Sequence, residues 1–260
     1  VYCPTFTYHG FRYCAVEGID YLSRDDIAAE LWCTDLRTAS HFSCGSALVT
    51  KIHEMVVMTE MDNMHSILTD CPQRDERMGW MNDATVRFEE TPYNFDVSRI
   101  FPKIVRDLRA EQSKADDGAI TCTAPFIWGG RPADPVCSSY LVAGYETWLH
   151  RGNLAILAES FDGFAAWEDC LLRRSVDYIV DYSYYGDWAG PAYACLSPEA
   201  AQSAVTDGKL MSTGYSYYNC RLLTKMAELL GRTADAEKYR ALGEKVRAAY
   251  LAKWLDPETG

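Results

Sequence analysis

The 260-residue chain is 48% hydrophobic and 13% aromatic, enough apolar material to bury the core of one large domain or a domain and a half. Its net charge of −12, with no local basic cluster, excludes a nucleic-acid partner and is compatible with a neutral ligand such as a sugar. No apolar run approaches the ~18 residues that a membrane-spanning helix needs, so no membrane partner is expected.

The chain opens without a signal-peptide pattern, on residues that read as a strand already under way, and stops at a turn signal after Trp254. Both ends are therefore expected to lie inside a larger protein. Residues 1–42 alternate and carry Phe6, Tyr8, Phe11, Tyr13 and Val16, then Leu31 and Trp32. This pattern predicts antiparallel strands closing a β-sandwich domain. Near Ser43 the period changes, and Leu48, Ile52, Met55 and Val56 predict a helix running to about Asp62.

Residues 69–83 then place Asp70, Asp75, Glu76 and Asp83 beside Arg74, Arg77 and Trp80. Pro72 and Gly79 prevent one continuous helix, so the charges are expected on a shaped loop, and Met78 and Trp80 are poor residues for a fully solvated one. That mixture suits sugar chemistry. A carboxylic acid can protonate a departing glycosidic oxygen, other carboxylates and a guanidinium can hold hydroxyls, and an aromatic face can cover C–H surface. The bland alternative is a solvated salt-bridge surface, with Asp75 holding an arginine or a loop amide.

Asp83 is placed to cap a weak helix ending near Pro92, and Val97 through Leu108 show a clear helical spacing. A long connection over 116–134 carries Trp128 amid proline and glycine. Loops of that length are usually functional, and Trp128 reads equally as a sugar platform or a loop plug. Four further helical stripes follow, over 140–149, 154–179, 211–230 and 236–254. Gly231 is a stop and Thr233 an N-cap that fold the last two into an antiparallel hairpin. Tyr215 and Tyr218 fall on a helical stripe and are expected in the core. Between the second and third stripes, residues 181–188 form another acidic and aromatic loop, in which Asp187 can cap the turn before Trp188.

The ten cysteines are scattered, with no Cys-x-x-Cys pair and no histidine at metal-ligand spacing. Structural zinc is not expected, and most should be small core residues in a reducing, cytoplasmic compartment, although disulfides stay open. Helices joined alternately by short turns and long decorated loops fit a mainly α fold, an (α/α)6 toroid, with residues 1–42 ending a β-sandwich and 43–260 forming the first part of the barrel.

The run from Asp70 to Trp80 with Asp83 three residues on resembles the signature of the α-L-rhamnosidases of glycoside hydrolase family seventy-eight. The segment from Tyr8 to Tyr13 resembles that family's last sandwich strand, and the one from Tyr184 to Trp188 its second site loop; the segments from Arg131 to Pro135 and from Met211 to Tyr215 fit one branch of it. Asn82 stands where glycine is commoner before the final aspartate. The resemblance implies an inverting hydrolysis of terminal α-L-rhamnose without a cofactor. It makes Glu76 the general acid, Asp70, Arg74 and Asp83 ligands of the sugar hydroxyls, and Trp80 and Trp188 the pocket lining, with a rhamnose-containing glycoside as partner.

It also implies a glutamate base in later barrel helices. Seven helical segments are predicted against the twelve of a full barrel, so that base and the rest of the toroid are expected beyond Gly260, in the same polypeptide or a partner chain, and an exposed apolar flank is expected here. Asp187 and Glu146 are poor substitutes for the base. The alternatives are another (α/α)6 carbohydrate enzyme, such as a glucuronyl hydrolase or a polysaccharide lyase, or a non-catalytic carbohydrate-binding module.

Overall fold

Capping residues set where the long helices begin. In the computed structural model, which describes residues 2–197 and 200–259, Ser46 accepts a bond from the Val49 amide at the start of α1 (Ala47–Asp62). Asn153 does the same for Ile156 at the start of α6 (Leu154–Leu172), and Asp207 for Lys209 at the start of α7 (Gly208–Leu229). Gly152, in the left-handed region at φ 65°, ends α5 (Ser139–Arg151) and lets α6 turn back on it at once. Gly231 at φ 69° closes the same kind of turn between α7 and α8 (Thr233–Trp254). The cap of α8 is Arg232 rather than the expected Thr233, which is already helical; the Arg232 side chain binds Asp235 in the first turn.

The helices pack in chain order: α4 (Ile100–Gln112) on α5, α5 on α6, α6 on α7, α7 along α8. Their shared core holds Phe101, Leu108, Tyr140, Phe161, Phe164, Trp167, Leu223 and Met226, all buried. The α5–α6 contact is close enough to need glycine on both sides, because a Cβ on Gly144 would strike the Phe164 ring and one on Gly163 would strike the Tyr140 hydroxyl.

Three expected elements differ. The stripe predicted over 154–179 breaks at Leu172, and a two-residue antiparallel hairpin follows, β1 (Ser175–Val176) on β2 (Ile179–Val180). Asp177 and Tyr178 at its tip both have positive φ, which a helix cannot absorb. The weak helix near Pro92 is two short pieces, α2 (Met81–Thr85) and α3 (Thr91–Asn94), so eight helices appear among the described residues. Asp83 lies inside α2 instead of capping it, because Trp80 is the extended residue at its start and the Met81 amide bonds the Cys122 carbonyl.

The predicted N-terminal strands are likewise absent among residues 2–42. They form one turn of 3-10 helix and a single bridge from Thr38 to Phe95. A strand needs a continued ladder of backbone bonds, and the pairing around Thr38 is limited to the Ala39 amide on the Asn94 carbonyl and the Asp96 amide on the Arg37 carbonyl. Phe6, Tyr13, Leu31 and Trp32 are exposed. So are Leu48, Ile52, Met55 and Val56, so an exposed apolar flank does exist and α1 carries it. A second hairpin, β3 (Cys195–Ser197) on β4 (Ala200–Ser203), follows the loop over 181–188.

All ten cysteines are free thiols. Cys71, Cys122, Cys137, Cys170 and Cys220 are buried, half of the set where most were expected. Among the described residues no helix is long and apolar enough to cross a membrane.

Candidate active site

The loop over 70–78 is closed by its own backbone. The Asp70 amide bonds the Met78 carbonyl at 3.0 Å, and the Met78 amide returns a bond of 2.8 Å to Asp70 Oδ1. Arg77 makes the turn at φ 52°, and its guanidinium lies 5.0 Å from the centre of the Tyr8 ring. Tyr8 stacks on His65, and the Gly10 amide bonds the Pro72 carbonyl, so residues 8–10 form the outer backing of the loop.

The long connection over 116–134 is the inner backing. Met81 donates to Cys122, Ala124 to Gly79, and Trp80 bridges Thr123 in an antiparallel contact. A Cβ on Gly79 would collide with the Ala124 carbonyl, and one on Gly129 would press on Cys122 and the Trp80 ring. Placed between these two layers, Asp70, Arg74, Glu76, Trp80, Asn82, Asp83, Tyr185 and Trp188 line one cavity of about 190 Å³. At ~30 Å³ per water, that is room for roughly six waters, the scale of a single small ring.

Glu76 is half-buried and held by two donors. Trp80 Nε1 reaches Oε1 at 2.9 Å and Arg74 Nε reaches Oε2 at 3.0 Å. Arg74 itself is 65% exposed and spans 4.0 Å to Asp70, so little packing fixes it. Asp70 is well buried; its Oδ1 is taken by Met78, and its Oδ2 accepts the Cys71 thiol at 2.8 Å. Burial and the neighbouring Asp70 carboxylate raise the Cys71 thiol. Asp83 is open to the cavity, yet surrounding protein strips enough bulk water to push its carboxyl above the ordinary range, with Asp70 and Glu76 adding to the effect and its own backbone amide and Arg87 opposing it.

The second wall is aromatic. Tyr185 stands edge-on to Trp80, centroids 5.4 Å apart, and edge-on to Trp188 at 5.3 Å. The donor atoms of Asp70, Cys71 and Glu76 lie within 4.8 Å of one another, a spacing that a cation could bridge. Arg74 Nε already donates to both Cys71 Sγ and Glu76 Oε2, which puts a positive charge where such a cation would sit.

Of the residues singled out from sequence, Glu76, Asp70, Arg74, Trp80, Asp83 and Trp188 converge on this cavity, and Trp128 does not. Trp128 is 66% exposed, and its backbone is tied to Thr123 Oγ1. That connection serves as a brace, through its backbone and its glycines. Asp75 pairs with Arg77 at 3.2 Å outside the cavity, and Asp187 accepts the Thr206 hydroxyl. Glu146 is buried beside His150, away from the lining. Tyr215 and Tyr218 are only half-buried, and Tyr218 bonds Glu89. Sequence reasoning missed Tyr185 and Asn82. The sequence signal for Tyr185 was its place in the aromatic run before Trp188, and for Asn82 its place next to Asp83.

Comparison with known proteins places this geometry. Residues 37–260 match the family described as the bacterial alpha-L-rhamnosidase 6 hairpin glycosidase domain. A curated alpha-L-rhamnosidase from Alteromonas sp. (strain LOR) is 28% identical over 99% of the chain and 28% of its own length. Among solved structures, an alpha-L-rhamnosidase from Dictyoglumus thermophilum superposes with a TM-score of 0.80 at 34% identity, over 86% of this chain and 24% of that one. The Streptomyces avermitilis alpha-L-rhamnosidase complexed with L-rhamnose gives 0.77 at 25% identity, over 86% and 20%. The chain spans about a quarter of the length of the curated relatives it matches.

Proposed function

The chain belongs to the bacterial alpha-L-rhamnosidase six-hairpin glycosidase family, and from that premise we propose that the protein it represents removes terminal α-L-rhamnose from glycosides, with Glu76 as general acid. Residues 43–260 would form the first part of the barrel and residues 1–42 the end of a preceding β-sandwich; the family match beginning at residue 37 supports that boundary. The observation that carries the reading is the placing of Glu76 in a one-ring cavity between two other carboxylates and an aromatic wall.

Each residue has a part the sugar chemistry needs. Rhamnose carries a methyl where a hexose carries a hydroxymethyl, and Trp80, Tyr185 and Trp188 offer an apolar surface that would leave the extra hydroxyl unpaired. Asp83 and the exposed guanidinium of Arg74 supply an acceptor and a forked donor for neighbouring hydroxyls. Asp70 has both carboxylate oxygens engaged by the loop, so its contribution to hydroxyl binding comes through remaining lone pairs.

For Glu76 to deliver a proton to the glycosidic oxygen, Arg74 must leave it, and drawing Arg74 onto substrate hydroxyls couples that release to binding. The C–O bond then breaks as water attacks the anomeric carbon from the opposite face, giving its proton to a base ~6.5–9.5 Å from the acid. Asp70, within 4.8 Å of Glu76, is too near to be that base. A glutamate from the remaining barrel helices, in the same polypeptide or a partner chain, fills the role.

Three carboxylates against one guanidinium make the cavity a poor host for an anionic uronic acid, which counts against a glucuronyl hydrolase or a lyase. The test is turnover by the full-length protein of an aryl α-L-rhamnoside against the matching glucuronide, with the first-formed anomer read by NMR. Rhamnoside cleavage with inverted configuration is expected. A retained configuration would overturn the mechanism, and rhamnose binding with no turnover would leave a binding module instead.

A further inference from the structure

Asp134 is fully buried where the long connection meets the loop over 181–188, and it forms no ion pair among the described residues. Its charge is held by donors from the chain itself. Oδ1 accepts the Val136 amide at 3.0 Å, at the start of the 3-10 turn Pro135–Cys137. Oδ2 accepts the Tyr185 amide at 2.8 Å, the Ser183 hydroxyl at 3.2 Å and the Tyr184 amide. Its own amide donates to Cys122 Sγ. One carboxylate thus fastens three consecutive residues of the loop that carries Tyr185 and Trp188 to the segment that backs Trp80.

Such a cluster of donors around a sealed carboxylate is specific to the charged group. Oδ2 takes three donors from one side, which a neutral amide cannot do if its NH₂ faces them, and an unmatched buried donor is destabilising. The clamp ends on the backbone amide of Tyr185, whose ring stands edge-on to both tryptophans of the aromatic wall. The Tyr182 hydroxyl on the Ala133 carbonyl ties the same two segments once more.

We propose that Asp134 is a positioning residue for sugar selectivity: its carboxylate fixes residues 183–185 so that Tyr185 holds Trp80 and Trp188 as one wall fitted to a methyl group rather than a hydroxymethyl. This rests on the cavity being a rhamnose site. It makes Asp134 important for which sugar is accepted, while proton transfer by Glu76 is left largely alone.

The experiment uses the full-length protein and compares kcat and KM for an aryl α-L-rhamnoside and the corresponding α-L-mannoside, its hydroxymethyl analogue. Asp134→Asn is expected to raise KM for the rhamnoside about tenfold, to change kcat by less than about threefold, and to cut the rhamnoside preference about tenfold. Ser183→Ala, which removes one donor and leaves the carboxylate, is expected to move the preference the same way by about two- to threefold and serves if Asp134→Asn does not fold. In a Trp188→Ala background, Asp134→Asn should have little further effect on the preference, because the two act through the same wall. Wild-type turnover of rhamnoside with an unchanged preference in both single variants, or with additive effects in the double variant, overturns the clamp alone. No rhamnoside turnover by the wild type overturns the cavity assignment and the clamp with it.

Discussion

Carboxylates in this chain stand in two opposite settings. At the cavity, Asp70, Glu76 and Asp83 gather around an exposed arginine and an open space. Between α6 and α7, Glu168 is wholly sealed, with Ser216, Asn219 and Cys220 all donating to it, and burial pushes its carboxyl up to about 8. The sealed acid is satisfied by fixed neutral partners and has nothing left to offer a ligand. The cavity acids keep lone pairs and a mobile counter-charge facing space that a ring could fill. Shared chemistry therefore divides into packing and function according to whether the acid's remaining valence points into protein or into a cavity.

Substitution should separate the two clusters. The largest effect is expected at the cavity, where Glu76→Gln in the full-length protein should lower kcat about 10²–10⁴-fold with a melting temperature near that of wild type, checked by steady-state kinetics and calorimetry. Trp188→Ala should follow, lowering rhamnoside kcat/KM by about tenfold with a smaller loss for the mannoside.

At the sealed cluster the effect should be on stability. Because the folded Glu168 carboxyl binds its proton more tightly than the unfolded one, the folded state holds more protons between about pH 4.5 and 8 and loses stability as pH rises through that window. Glu168→Gln should flatten that slope by an amount on the order of 1 kcal/mol per pH unit, seen in denaturant titrations across the window, and should leave KM unchanged.

Asp83 gives a finer contrast, since its raised carboxyl gains its proton at a higher pH than an ordinary aspartate as pH falls. Hydroxyl binding should weaken there first. KM in the wild type should climb on the acid side above the usual carboxylate range, and Asp83→Asn should remove that limb. The smallest effect is expected from Trp128→Ala, within about twofold of wild type in kcat/KM, since the side chain is exposed and does not line the cavity.

Much of this was legible from residue spacing and composition. The 3/4 spacing of Ile100, Ile104, Val105 and Leu108 gave α4, and the acidic loop with its arginine and tryptophan gave five of the cavity's eight lining residues, with Trp188 from the 181–188 loop a sixth. What escaped depends on partners distant in sequence. Trp128 looked like a sugar platform because a tryptophan in a long loop is ambiguous until its direction is known; here the glycines next to it do the work, by letting the chain pass against Trp80. Tyr185 was hidden among neighbouring tyrosines, and what distinguishes it, a place in the cavity lining and an amide held by Asp134 fifty-one residues earlier, lies in contacts distant in sequence. The aromatic alternation before residue 42 had the pattern of strands, but a strand is a relation between two segments, and among the described residues this stretch makes only the one bridge from Thr38 to Phe95.

The role assigned to Glu76 is tested most directly by varying the leaving group in the full-length protein. Glu76→Gln should nearly abolish hydrolysis of an alkyl α-L-rhamnoside, whose departing oxygen needs a proton, and should retain far more activity on an aryl rhamnoside whose leaving group departs as a stable anion. An equal loss on both substrates, or no loss on either, would contradict it.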